Sequence, residues 1–316
     1  MSASPIRTSA DPRQLEAMRA LVAAGKRKQA LFAAVGVLCT AFAVLVLLAA
    51  FLDLLIDGLP RLSLDFLSNF PSRRADQAGI LSAWVGSAMV MLVTMLAAVP
   101  IGVGAAVYLE EYAGKNWLTD LIEINVTNLA GVPSIVYGLL ALGLFVYQFG
   151  FGESVLTAGL TLALLILPIV IVSSREALRA VPGHIREAAY AMGATRWQMI
   201  SDHLLPYSRG GILTGVILGM AEAIGQTAPI ITIGALTFIA FLPPPPIGGE
   251  FPFVNFQWMW SEFTVLPIQM YNWVSRPDKA FQLNAAAAGV VLLLMTLMMN
   301  GLAIYLRYQV RKKIKW

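Results

Sequence analysis

Cysteine and histidine are nearly missing from this 316-residue sequence: Cys39 is the only cysteine, and His184 and His203 are the only histidines. A disulfide framework and a Cys-rich metal or redox centre are excluded, and a His-based metal centre has little to be built from. Charge is scarce too. Charged residues make up 13% of the chain, about half the usual soluble fraction. What abounds is apolar: 58% of residues are hydrophobic and the mean hydropathy is +0.72. This composition excludes a disordered chain, which must be poor in apolar residues. It also speaks against an ordinary soluble enzyme and a nucleic-acid-binding domain, despite a pI near 9.2. The class is an integral membrane protein.

A helix crossing the hydrocarbon layer needs about 20 mostly apolar residues. Uncharged windows of that length lie at 30–52, 80–109, 124–152, 154–174 and 280–306, and a sixth at 210–242 is interrupted only by Glu222. Gly150, Gly152 and Glu153 between the third and fourth windows read as a tight hairpin. Six membrane-spanning helices result, an all-α membrane protein; the alternating segments of a membrane barrel do not occur. All but five of the 22 Lys and Arg residues fall on the side that carries both termini. The exceptions are Arg61, Arg73, Arg74, Arg276 and Lys279. The positive-inside rule puts both termini in the cytoplasm, so the basic excess is a topology signal.

The expected organisation is a cytoplasmic extension at 1–29, a transmembrane domain at 30–312 and a short cytoplasmic tail at 313–316. Asp11 as N-cap, Pro12 at the first helical position and Gln14 open a basic amphipathic helix with Leu15, Met18 and Val22 on one face; the alternative is a poorly ordered tail. The first apolar window is too long for a signal-peptide core and reads as a retained span. Pro100, Pro133, Pro168 and Pro229 each fall within a span and are expected to bend it. Gly211, Gly215 and Gly219 recur every four residues, a small-residue stripe for close helix packing. The outer loop at 243–279 begins with four prolines and holds Trp258, Trp260 and Trp273. A short helix is expected near 264–273, on the membrane surface or against an external partner.

The loop at 175–209 is the most informative segment. Pro182 opens a first short helix and Gly193 breaks it. Thr195 caps a second, with Gln198 completing a capping box, and Pro206 helps to close it. The small residues Ala188, Ala189 and Gly193 leave the backbone open to a partner, and Glu187 complements a basic one. Glu187-Ala188-Ala189, then Gly193 after three residues and Leu205-Pro206 after eleven more, resemble the EAA loop of ABC importer permeases. His203 stands where that pattern prefers Ile. The resemblance implies a type I ABC importer permease (MetI-like) fold, in which this loop is the coupling helix docked into a separate ATPase. No P-loop is present, since Gly25-Lys26 and Gly114-Lys115 are not followed by Ser or Thr. The chain thus carries no cofactor, and ATP and Mg are expected on the partner ATPase.

Three further segments, 129–140, Gly225-Gln226-Thr227-Ala228-Pro229 and 263–277, together with Leu109-Glu110-Glu111-Tyr112, resemble the phosphate permeases of the PstA type over about residues 78–312. That resemblance implies a second permease of the PstC type, a PstB-type ATPase dimer and an external, periplasmic or lipid-anchored, PstS-type phosphate-binding protein. Membrane lipid is the other partner and nucleic acid is none. The implied role is a non-enzymatic transport subunit of the bacterial inner membrane. One departure stands out. Where the family commonly reads Arg-Ala-Ile-Gly-Glu-Thr-Ala-Pro, this chain has Glu222 in place of Arg and Gln226 in place of Glu. A carboxylate about 4 Å from an anion repels each unit of its charge by roughly 4 kcal/mol at an effective dielectric near 20. Glu222 therefore pairs with a partner's Arg, is protonated, accepts a hydrogen bond from a proton-bearing phosphate oxygen, or points into a polar seam between helices. Glu222, Gln226, Thr227 and Pro229 are the candidate translocation residues. The competing readings are an importer of another oxyanion, such as sulfate or molybdate, a proton-coupled secondary transporter, which leaves the EAA loop unexplained, and a membrane enzyme, for which no catalytic cluster is visible.

Overall fold

The computed structural model describes residues 12–114, 116–247 and 255–313, and the chain divides into two units at Leu54. The first unit is the run of α1 (Pro12–Gly58) as far as Leu54. At about 1.5 Å per residue this 47-residue helix is about 70 Å long, more than a bilayer with its headgroups requires. Residues 12–29 continue into the span without a turn. Asp11 lies outside the described residues.

The second unit begins with the end of α1, where Gly58 packs closely against the Ala286 carbonyl. A turn at Leu59–Arg61 and the short α2 (Leu64–Ser68) lead to α3 (Leu81–Val107), which ends in a π-helical turn at Tyr108–Tyr112. Next come α4 (Trp117–Leu129) and α5 (Ser134–Ala141), the latter extended by a π-helical segment to Gln148. Then follow α6 (Val155–Arg179), α7 (Gly183–Ala191), the single turn α8 (Arg196–Gln198), α9 (Leu205–Ile224) and α10 (Ala228–Thr232). The unit closes with α11 (Leu266–Val274) and α12 (Lys279–Lys313). No strand occurs among the described residues. Five helices are long and apolar enough to span a membrane, and the α4–α5 pair makes a sixth if counted as one.

That pair corrects the expectation of a straight third span. Its halves meet at 107°. Gly131 is a weak helix former, Pro133 has no N–H to continue the ladder, and Val132 before it is pushed toward extended backbone. The prolines therefore divide into two kinds. Pro100 and Pro168 lie inside α3 and α6, whereas Pro133 caps α5 and Pro229 opens α10. The window at 210–242 is likewise shorter as a helix, because α9 stops at Ile224 and the chain turns at Gly225. The hairpin before α6 forms as expected, with Gly150 and Gly152 at φ of +69° and +67° and Ser154 capping the helix.

Helix α6 is the centre of the unit, packed against α3 on one side and α9 on the other. Small residues set the spacing. Gly159 sits on Val93, Gly102 on Val170, and Thr94 Oγ1 donates to the Gly159 carbonyl at 3.1 Å. Gly211 faces Ala177, Gly215 faces Ser173 and Gly219 faces Ile166, so the glycine stripe of α9 lies along α6.

The outer loop departs most from expectation. Trp258, Phe263 and Trp273 are buried, as is most of the inner face of α11. Leu236 N–H donates to the Phe263 carbonyl, Ser82 Oγ to the Ile239 carbonyl, and Leu266 N–H to Ser87 Oγ. The loop therefore folds back onto the start of α3, where Gly86 leaves room for the Thr264 carbonyl. Trp273 packs between Phe66 and Phe281 in tilted contacts, with ring centroids 6.1 and 6.5 Å away. The driving force is burial of large aromatic area, which outweighs the preference of these rings for the membrane boundary. Trp260, Phe256 and Tyr271 do remain exposed.

Candidate functional site

The segment after α6 is built around a small apolar core. Ala106 and Val107 of α3, Leu178 of α6, Ala189 of α7, and Met199, Ile200 and Leu204 beyond α8 pack together. This packing decides which of two adjacent alanines faces outward. Ala188 is exposed and Ala189 is buried, so Ala189 is not part of an open face, contrary to expectation. The outward face carries Glu187, Ala188, Tyr190, Met192 and Trp197, and Met192 is 88% exposed.

Gly193 has φ of +84°, the left-handed region in which a Cβ is penalised, and a Cβ there would meet no neighbour within 4 Å. Its value is thus conformational. It reverses the chain after α7, while the Ala194 N–H returns to the Ala189 carbonyl at 3.0 Å. Thr195 and Gln198 form the expected capping box. Pro206 does not close the second helix. A π-helical segment, Met199–Leu204, joins α8 to α9, so this arm of the loop and the fifth span are one continuous helical path. Pro206 lacks an N–H to return to Asp202, and the ladder accommodates the gap by widening just before it. Leu205 and Pro206 are half-buried at this junction, and His203 is exposed.

Charged side chains tie the segment to three other elements. Arg186 of α7 donates through Nε and Nη2 to Glu111 Oε1 at 3.1 and 3.0 Å, and also reaches the carbonyls of Val181 and Leu178. Arg175 Nη2 lies 2.9 Å from Glu123 Oε2, and Arg179 Nε lies 2.9 Å from Glu110 Oε2. Glu110 and Glu111 end α3, Glu123 belongs to α4, and both arginines belong to α6. The Arg175 side chain is 7% exposed and that of Arg179 is 44% exposed. Arg175 Nε also lies 3.7 Å from Glu110 and Arg179 Nη2 3.5 Å from Glu123, so the four side chains form one network, in which losing the buried Arg175 costs more than losing the half-exposed Arg179. The one-turn spacing of Arg175 and Arg179 was the signal available for their shared role.

The candidate translocation residues separate. Glu222 is exposed on α9, with no ion pair among the described residues. Gln226 turns the other way and lines a cavity of about 10 Å³ with Ser87, Met91, Leu162 and Ile230, room for about one water. Thr227 follows in the break after α9, its carbonyl accepting from Ile230 and Ile231 N–H. Pro229 is buried against Gly138 of α5. No group of His, Cys, Asp and Glu among the described residues is arranged to hold a metal.

Comparison with known proteins agrees with this geometry. The model of the family "binding-protein-dependent transport system inner membrane component" matches residues 98–315. The phosphate transport system permease protein PstA of Xylella fastidiosa is 32% identical over 78% of this chain and 81% of its own length. A probable ABC transporter permease protein of Bacillus subtilis, YqgI, is 33% identical over 63% of this chain and 68% of its own. Among solved structures, a chain of the MetNI methionine ABC transporter in an inward facing conformation superposes with a TM-score of 0.56 at 17% identity, covering 73% of this chain and 95% of that one, which supports the fold alone. With the helical architecture, the coupling-type segment and the matched length in agreement, the chain belongs to the binding-protein-dependent transport system inner membrane component family, as a multi-pass inner-membrane permease of an ABC importer that works with an ATPase and a substrate-binding partner.

Proposed function

We propose that this chain is the PstA-type permease of an ATP-driven importer of inorganic phosphate. The observation that carries the substrate is the set of phosphate permeases similar to it over most of the chain. The coupling half of the reading rests on geometry. Glu187, Ala188 and Gly193 lie on or beside an exposed surface whose far arm continues through Leu205 and Pro206 into α9. An ATPase that closes on this surface on binding ATP and Mg would move α9 directly, and with it the stripe bearing Glu222. Ala189 supports the surface from beneath. Gly211, Gly215 and Gly219 let α9 slide or tilt on α6 without bulky side chains between them.

In this reading the termini are cytoplasmic, and the partners are a PstC-type permease, two PstB-type ATPase copies and a PstS-type binding protein. The residues at 1–29 are a cytoplasmic extension. Glu222 faces the second permease, where a cation offsets its charge, while Gln226, Thr227 and Pro229 line the pathway's break. Radiolabelled uptake in cells lacking this gene and redundant phosphate carriers tests the substrate. Loss of phosphate uptake with sulfate and molybdate uptake intact supports phosphate. Loss of another anion instead would overturn it.

A further inference from the structure

The arginines near α6 and α7 are paired with carboxylates, and Arg61 is spent on the carbonyls of Ala75, Asp76 and Ala78 and the amide of Asn284. Arg307, near the end of α12, is different. It is half-buried, and its Nη1 donates to Thr214 Oγ1 of α9 at 2.8 Å. Thr214 in turn donates its own proton to the Gly210 carbonyl at 2.8 Å, so its lone pair is fixed toward the guanidinium. No carboxylate lies within ion-pair distance of Arg307 among the described residues, and its Nε and Nη2 have no hydrogen-bond partner among them.

Two features mark the place as more than a stray cation. Two turns earlier on the same face of α12, about 10 Å along the helix, the Oδ1 of Asn300 is buried without a hydrogen-bond partner among the described residues. Thr214 also shares a stripe of α9 with Leu218 and Glu222, which is the side of that helix left open. A guanidinium held in place at one nitrogen, with its remaining donors free, matches the geometry of a phosphate oxygen pair. Residues 311, 312, 313 and 315, all basic, follow in the sequence, and such juxtamembrane runs draw anionic groups.

We propose that Arg307, positioned by Thr214, is a phosphate-anion site at the seam of α9 and α12, filled either by the headgroup of an anionic lipid or by free hydrogen phosphate on its way to the cytoplasm. The second source rests on the phosphate-import reading; the first does not. The site would couple occupancy of the α12 end to the position of α9, the helix that continues from the coupling segment.

The test uses the complete purified transporter with its binding protein in two kinds of vesicle: phosphatidylcholine alone, and phosphatidylcholine with phosphatidylglycerol in equal parts. Wild type, R307K, R307Q and T214V are compared at saturating phosphate-loaded binding protein, and lipid carried through purification is counted by native mass spectrometry. A lipid site predicts that phosphatidylglycerol raises wild-type and R307K uptake by about fivefold, the electrostatic effect of one basic residue at an anionic surface, and that R307Q loses both that rise and the retained lipid. A free-anion site predicts that R307Q and T214V lower uptake by roughly tenfold in phosphatidylcholine alone, the loss of one charge-assisted hydrogen bond, with retained lipid unchanged. An R307Q transporter that assembles, transports and retains lipid as wild type does in both vesicles would overturn the proposal. If wild type moves no phosphate, the import reading fails, while the lipid count still decides the site.

Discussion

At the scale of the residue, Gly193 and Gly215 are both glycines for reasons a side chain would expose. Gly193 has space around it but a backbone at φ +84°, where an L-residue costs about 1–2 kcal/mol. Replacing it by Val should leave the chain inserted and the transporter assembled, with ATP hydrolysis continuing while uptake falls; normal uptake per ATP would refute its role in the coupling surface. Gly215 has an ordinary backbone, but a Cβ there would run into Ser173 of α6. Gly215→Leu should force α9 off α6 and lower thermal stability by about 1–3 kcal/mol, measurable as an earlier unfolding transition in detergent. The spacing of both glycines was legible in the sequence. The inward turn of Ala189 was not, because Ala188 and Ala189 are chemically identical and only the rotation of α7 over its small apolar core distinguishes them. Glu222→Gln should alter uptake or its pH profile, since Glu222 stands exposed on α9 without an ion pair among the described residues; an unchanged profile would make it a spectator.

At the scale of the element, the ion pairs act as struts between α3, α4, α6 and α7. The Glu111–Arg186 pair joins the end of α3 to α7, and neither member has another ion-pair partner among the described residues. A double-mutant cycle on uptake and stability should give a coupling energy of about 0.5–3 kcal/mol. Arg175→Gln should destabilise the protein more than Arg179→Gln, because Arg175 is the more deeply buried of the two guanidinium groups. Equal effects would show that burial does not set their weight. Hydropathy made the spans readable, and the turn chemistry of Gly150, Gly152, Thr195 and Gln198 made their junctions readable. The 107° break between α4 and α5 was hidden by continuous apolar composition, with only Gly131 and Pro133 to mark it. The continuity of α8 with α9 was hidden by Pro206, which reads as a stop and is instead absorbed by a π-helical segment.

At the scale of the whole molecule, the second unit is a bundle centred on α6, with the loop before α11 folded into it at one end and the α7–α8 segment packed at the other. The outer loop reads in sequence as an aromatic membrane-boundary segment because composition cannot tell a ring at the interface from one buried at Trp273. What separates them is long-range pairing, such as Leu266 N–H with Ser87 Oγ, which no local pattern announces. The glutamates and arginines of the coupling end were readable as charges but not as pairs, because their partners lie more than fifty residues away. The central claim is that motion at the α7 surface drives phosphate through this bundle. It is tested most directly by measuring ATP hydrolysis and phosphate accumulation together in vesicles containing the complete transporter, with binding protein on one side and ATP on the other. The account predicts accumulation that requires both and collapses in the Gly193 variant while hydrolysis persists. Accumulation without ATP, or hydrolysis that loads a different anion in preference to phosphate, would contradict it.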